Sequence, residues 1–141
     1  MNGYLLDTDI LISFLRGKNE KLKRNIHAIL EKQFYIGFSV ISLGELYLGV
    51  FKSHNPPKNL SLVNKLKEIL DVIGLDDNIA LLYGEIQAVL EKAGQVIGDF
   101  DVLIASSAIS KDLILVTGNE KHYKRVKELF GQLSFEKWEI K

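Results

Sequence analysis

Asp7, Glu45 and Asp101 are the side chains in this sequence with the most chemistry to offer. Each lies in a short segment that sets a carboxylate beside a run of apolar residues: Leu5-Leu6-Asp7-Thr8-Asp9, Ser42-Leu43-Gly44-Glu45-Leu46, and Gly98-Asp99-Phe100-Asp101-Val102-Leu103-Ile104-Ala105. A fourth segment, Leu115-Val116-Thr117-Gly118-Asn119, has the same form but ends on a carboxamide. The segments are far apart along the chain, so only a fold can unite them. Carboxylates brought together raise one another's pKa and cannot all ionise cheaply without a cation. A divalent metal removes that penalty, and an all-oxygen donor set points to Mg²⁺ or Mn²⁺ rather than zinc. Such an ion can activate a water and neutralise charge on a phosphate in flight. The expected chemistry is phosphodiester hydrolysis by metal-activated water, without a protein nucleophile.

The elements that must position these groups can be read from hydrophobic periodicity. Tyr4–Leu6, Phe34–Phe38, Val72–Leu75 and Leu113–Thr117 read as strands, with Ser134–Ile140 a candidate edge strand. Helices are expected over Asp9–Leu15 (stopped by Gly17), Lys21–Lys32, Ile41–Phe51, Leu60–Leu70, Asn78–Ala93, Val102–Lys111 and Glu120–Leu129. The Ser53–Asn59 stretch, with Pro56 and Pro57, is expected to be a surface loop. Strands alternating with helices imply right-handed crossovers onto a parallel sheet covered on both faces. In such a sheet the strand C-termini share one edge with the N-termini of the following helices, and ligands bind at that edge. All four segments fall there.

The composition limits the alternatives. The 141 residues are 47% apolar and 26% charged, with two prolines, which reads as one globular domain over residues 1–141. A chain of this length buries about two-thirds of its unfolded surface and needs no disulfide to fold. It has no cysteine, so thiolate zinc sites and a Cys nucleophile are excluded and a cytoplasmic location is expected. Asp7 and Asp9 interrupt what a signal peptide requires, and no stretch is apolar enough to span a membrane. Eighteen basic residues balance eighteen acidic ones, which argues against a polyanion-coating protein but allows a basic rim around an acidic centre.

Each candidate residue also has a purely structural use. Asp7 or Asp9 can cap a helix, as can Asp99 or Asp101. Ser42-x-x-Glu45 matches a capping box; if Ser39 is the cap instead, Glu45 lies beyond the box. Asn119 suits a turn. Lys121, His122, Lys124, Arg125 and Lys127 can contact phosphates near the pocket, or form an ordinary solvated helix face. Lys18, Lys21, Lys23 and Arg24 are read as a solvated group. The aromatics Tyr4, Phe34, Tyr35 and Phe38 are expected to fill the sheet core.

Taken in order, these segments resemble the PIN-domain ribonucleases, and within them the VapC-type toxins of prokaryotic toxin–antitoxin pairs. The resemblance spans essentially the whole chain. It rests on Leu5-Leu6-Asp7-Thr8-Asp9-Ile10-Leu11-Ile12, on Ser39 to Glu45-Leu46 with Gly49, and on Ile97-Gly98-Asp99-Phe100-Asp101-Val102-Leu103-Ile104-Ala105. Leu115-Val116-Thr117-Gly118-Asn119 and Trp138 complete it. It implies a three-layer α/β/α sandwich around a mainly parallel sheet of four to five strands, and Mg²⁺- or Mn²⁺-dependent endoribonuclease activity. It makes Asp7, Glu45 and Asp101 the metal-binding and catalytic carboxylates, supported by Asp99, Asn119, Thr8 and Thr117. The fourth position is often Asp in this family, and Asn119 lacks that charge. The resemblance also implies a homodimer, and a small antitoxin that wraps the toxin and obstructs its site.

Two other readings compete with an RNA-cleaving enzyme. One is a PIN-like module that binds RNA or protein without cutting. The other is a haloacid-dehalogenase-type phosphatase, because Asp7-Thr8-Asp9 matches its Asp-x-Asp motif; Ile10-Leu11 stands where that family has Gly-Thr, and the chain is short for that fold.

Overall fold

The computed structural model describes residues 3–140. Five strands, β1 (Gly3–Leu6), β2 (Tyr35–Ser39), β3 (Asp71–Ile73), β4 (Ile114–Thr117) and β5 (Phe135–Lys137), form one sheet in the order β3-β2-β1-β4-β5. Every neighbouring pair is parallel. Helices α1 (Thr8–Arg16) and α2 (Glu20–Glu31) connect β1 to β2, and α3 (Val40–Lys52) and α4 (Pro56–Ile69) connect β2 to β3. On the return, α5 (Asp77–Lys92) and α6 (Asp99–Ser110) precede β4, and α7 (Lys121–Leu129) precedes β5.

The central strands are apolar on both sides because both faces are covered. Leu5 pairs in register with Leu115, and Leu6 with Val116. Successive side chains alternate across the sheet. Leu6, Val116, Ile36 and Phe38 accordingly pack with Ile10, Leu22, Leu46 and Val63 of α1–α4. Leu5 and Leu115 pack with Ile86, Ile104, Ala105 and Tyr123 of α5–α7. The result is the expected α/β/α sandwich. In α6 the small side chains Ala105, Ser106, Ser107 and Ala108 are buried. The Ser106 and Ser107 hydroxyls donate to the Val102 and Leu103 carbonyls at 2.7 and 2.9 Å, so neither is left unpaired in the interior.

Several boundaries differ from expectation, each for a local reason. Helix α3 starts at Val40 because the Ser39 hydroxyl caps it, accepting from Ile41 N at 3.0 Å. The Ser42–Glu45 capping box is therefore absent, and Glu45 lies beyond the first turn. Helix α4 starts at Pro56 rather than Leu60: both prolines sit in its first turn, where a missing N–H costs nothing, and Asn55 caps it. Helix α6 starts at Asp99 with Gly98 at the cap position, so neither Asp99 nor Asp101 is the cap residue.

The terminal strand is three residues long, and beyond it the Trp138 ring lies 6.4 Å from that of Tyr4, while Glu139 O and Ile140 O accept from Asn19 and Ser13. Phe34 and Tyr35 are not core residues; they are 41% and 38% exposed. Tyr35 lies across Gly37 and donates to Asp71 Oδ2 at 3.1 Å; partial burial and that carboxylate push its phenol up to about 12.

A Cβ at Gly37 would stand 2.6 Å from the Tyr35 hydroxyl oxygen, whereas one at Gly84, inside α5, meets nothing within 4 Å. We expect Gly37→Ala to lose up to about 1 kcal/mol, because the half-exposed Tyr35 ring must turn aside and give up its bond to Asp71. Gly84→Ala should gain up to about 1 kcal/mol through helix propensity. Urea unfolding of the two variants checks both signs.

Candidate active site

Asp7 leaves β1 and caps α1 in one step. Its Oδ1 accepts from Thr8 N at 2.9 Å and its Oδ2 from the Thr117 hydroxyl at 2.8 Å, while its own N–H donates to Val116 O at 2.8 Å. The carboxylate is thus fixed between the ends of β1 and β4. Its capping role and its place in a polar cleft are the same geometry rather than alternatives. The residue is 8% exposed. Burial first, then the neighbouring Asp9, push its carboxyl up to about 7, against the opposing bonds from Thr117 and Thr8. Asp101 adds to the rise.

Glu45 projects from the second turn of α3, and its Oε1 accepts from the Thr8 hydroxyl at 2.7 Å. Thr8 Oγ1 is also 2.8 Å from the Ser42 hydroxyl. A hydroxyl has one proton, so Thr8 donates to Glu45 and accepts from the fully buried Ser42. Asp101 lies in the first turn of α6. Its Oδ2 is 2.7 Å from His122 Nδ1, and its Oδ1 accepts a longer bond, 3.4 Å, from the Tyr123 hydroxyl. Tyr123 is 1% exposed, and burial, then Asp7 and Asp101, hold its phenol well above the ordinary value. It therefore stays a donor toward the acidic side chains.

These residues line one cleft of about 270 Å³ at the C-terminal edge of the sheet: Asp7, Thr8, Asp9, Ile12, Glu45, Asp101, Asn119, His122 and Tyr123. Thr117 lies beneath it, bonded to Asp7 and accepting from Asn119 N at 3.1 Å. Asp99 does not line the cleft. It faces α5, where the Tyr83 hydroxyl and Gln87 Nε2 donate to its Oδ1 at 2.6 and 3.0 Å. Of the basic residues on α7, only His122 lines the cleft; Lys124 pairs with Glu120 at 3.1 Å, and Lys127 donates to Leu133 O at 2.8 Å.

Asp9 and Tyr123 were not among the expected site residues. Side chains two apart on a helix do not share a face, so the spacing of Asp7 and Asp9 gave no signal. At the opening turn of α1, where Asp7 is still extended, both nevertheless reach the cleft.

Among the described residues, no Lys or Arg pairs with Asp7, Asp9, Glu45 or Asp101. Nor do any three His, Asp or Glu side chains stand close enough to hold a metal ion as they are. Each carboxylate is turned toward a donor of the protein instead. The donor chemistry suits a hard divalent cation: the carboxylates supply oxygen donors, and no Lys or Arg among the described residues pairs with them. Glu45 and Asp101 would reach it by side-chain rotation away from Thr8 and His122.

The family model described as PIN domain matches residues 4–129. The chain belongs to the PIN-domain family. This PIN domain is of the VapC type: it is 36% identical over 126 residues to Ribonuclease VapC2 of Rickettsia felis, covering 89% of this chain and 93% of that protein. It is 33% identical to the tRNA(fMet)-specific endonuclease VapC of Shigella flexneri, covering 98% and 99% of the two chains. Among solved structures it superposes on VapBC2 from Rickettsia felis bound to a DNA fragment from their promoter, with a TM-score of 0.88, 34% identity and coverage of 97% and 99%. DNA-bound VapBC from Salmonella typhimurium gives a TM-score of 0.87 at 30% identity, covering 98% of this chain and 99% of that one.

The position of Asp7 sets a pH dependence on stability in the metal-free PIN domain. A carboxyl pushed up to about 7 from an ordinary 3.8 favours the folded state when protonated. Its contribution is present below about pH 4, falls as pH rises through that window, and is gone above about 7, a loss of a few kcal/mol. Asp7→Asn keeps an acceptor for Thr8 N, and Thr117 can turn its proton to Asn119 O, 3.2 Å away, and accept instead. The variant should match the parent near pH 4 and exceed it increasingly toward pH 8 in chelator-treated denaturation curves. Equal stability at pH 8 would rule this account out.

Proposed function

We propose that this PIN domain is an endoribonuclease that hydrolyses RNA phosphodiester bonds with the aid of Mg²⁺ or Mn²⁺, and that it is the toxin of a type II toxin–antitoxin pair. The observation that carries the reading is the convergence of Asp7, Glu45 and Asp101, without a Lys or Arg partner among the described residues, on one cleft at the sheet edge. Relatives that match nearly the whole chain are named as a ribonuclease and a tRNA endonuclease. Family membership also removes the phosphatase alternative.

Asp7 and Asp101 are the residues to hold the principal ion, with Glu45 binding it or hydrogen-bonding its waters. A divalent ion bound there supplies an activated water and positive charge for the phosphate. The remaining work belongs to side chains that orient these carboxylates. Thr117 fixes Asp7, Thr8 aims Glu45, and His122 with Tyr123 steadies Asp101. Asn119, exposed at the cleft rim, offers a neutral donor and acceptor to substrate. Asp99 supports indirectly, by tying the first turn of α6 to α5. Lys121, His122, Lys124 and Arg125 on α7 are the RNA contacts we favour for phosphate binding beside the cleft.

A groove of about 460 Å³ between α1, α3 and α4, lined by Ile12, Leu15, Leu46, Val50 and Leu62, shares Ile12 and Glu45 with the cleft. An antitoxin segment seated in it would end at the carboxylates and block them, as fits the toxin–antitoxin complexes of the relatives. Exposed Leu48 and Phe51 on α3 support a homodimer. We take residues 1–141 as a single domain working in the cytoplasm; no described helix is long and apolar enough to cross a membrane.

Purified chain freed of partner should cleave RNA with Mg²⁺ or Mn²⁺ and stop on chelation. Asp7→Asn or Asp101→Asn should lower the rate roughly a hundredfold or more, the several kcal/mol that metal charge supplies. Thr8→Val, which leaves Glu45 unaimed, should cost roughly tenfold to a hundredfold. Cleavage that survives chelation or Asp7→Asn would sink the metal mechanism. RNA bound but never cut would favour the binding-module reading.

A further inference from the structure

Asp9 brings to the cleft an acid that no basic side chain partners among the described residues. Its two oxygens lie 3.1 and 3.3 Å from Gly118 N, and the Ile10 N–H in the first turn also favours its charged form. One backbone N–H needs only a neutral acceptor, and a carboxylate has about four lone-pair sites. As the acid in the first turn of α1 it also meets the positive end of that helix. No Lys or Arg pairs with Asp9 among the described residues. It is nevertheless half-buried, and it lines the same cleft as Asp7, Glu45 and Asp101.

The partner it grips is informative. Gly118 directly precedes Asn119, the one neutral member among the four converging segments. The loop there is tightly seated, because a Cβ on Gly118 would stand 2.7 Å from the Ile140 side chain. Asp9 therefore brings a negative charge from α1 to the side of the cleft where the β4–α7 connection offers only a carboxamide. We propose that Asp9 is the fourth carboxylate of the metal site, replacing from α1 the charge that Asn119 does not carry. This inference rests on the metal-dependent reading above and assigns Asp9 to ion binding as well as to holding the Gly118–Asn119 loop.

The test separates charge from hydrogen bonding by Mn²⁺ titration of the full chain, followed calorimetrically and by electron paramagnetic resonance. Asp9→Asn retains an acceptor for Gly118 N and should fold normally by circular dichroism, yet bind Mn²⁺ roughly tenfold to a hundredfold more weakly. Adding Asn119→Asp to that variant should restore most of the affinity. Unchanged Mn²⁺ affinity in Asp9→Asn would overturn the proposal and leave Asp9 a loop clamp. A loss that Asn119→Asp does not recover would overturn the charge replacement. If Asp7→Asn abolishes Mn²⁺ binding while Asp9→Asn does not, the metal reading stands and the Asp9 assignment falls. If the unaltered chain binds no Mn²⁺, both fall.

Discussion

Everything at the functional edge depends on a carboxylate held almost out of water between two parallel strands. Asp7 has no cation beside it, and burial is the largest influence on its pKa. Isolated burial of this kind is unfavourable, and a fold tolerates it only where the surroundings over-determine the position. Here they do: Thr8 N and the Thr117 hydroxyl hold its two oxygens, and Val116 O holds its N–H. These partners come from the start of α1 and the end of β4, and Leu5, Leu6, Leu115 and Val116 of β1 and β4 are fully buried between the two helical layers. The apolar sandwich stabilises the edge, and the edge concentrates negative charge. Natural sites commonly give up local stability for function in this way.

Most of the fold was legible because the periodicities were strong. Short apolar strands alternating with amphipathic helices specify a parallel sheet, and the right-handed crossover rule then places Asp7, Glu45, Asp101 and Asn119 on one edge. Element starts were harder to read where a cap or a proline decided them. Two prolines at 56 and 57 look like a break, yet they open α4 because the first helical turn has no use for their missing N–H groups. Ser39 and Ser42 are both plausible caps, and only the buried contact of Ser42 with Thr8 distinguishes them. That displacement by three residues matters to function, because it moves Glu45 out of capping range and into the cleft.

The gathering of Asp7, Glu45 and Asp101 at one cleft was legible, the side chains around them less so. Asp99 stands in the same motif as Asp101, two residues away, but the turn of α6 sends it to Tyr83 and Gln87 on α5. Asp9 and Tyr123 enter through geometry that no spacing rule encodes: one because α1 begins at Thr8, the other because α7 buries its tyrosine under the cleft. Sequence pattern indicates which residue types can do chemistry. Which of two neighbouring acids does it depends on helix phase, and a shift of one residue turns a side chain by about 100°.

Three acids of the cleft, Asp7, Glu45 and Asp101, differ in how firmly they are held, which suggests a division of labour. Asp7 is anchored by a backbone amide and by a hydroxyl rooted in a strand, so its place is set by the fold. Glu45 and Asp101 are held by side chains, Thr8 and His122, on elements other than their own. On the proposed metal-dependent reading, each of those bonds occupies an oxygen that a cation would need, and each can be given up by rotation at a partly exposed position. On that reading, one fixed carboxylate and two adjustable ones can rest without a metal, their hydrogen bonds satisfied within the protein, and would gather around an ion only by side-chain rotation. That removes the need to hold three ionised groups in contact throughout folding, an arrangement their mutual repulsion would oppose.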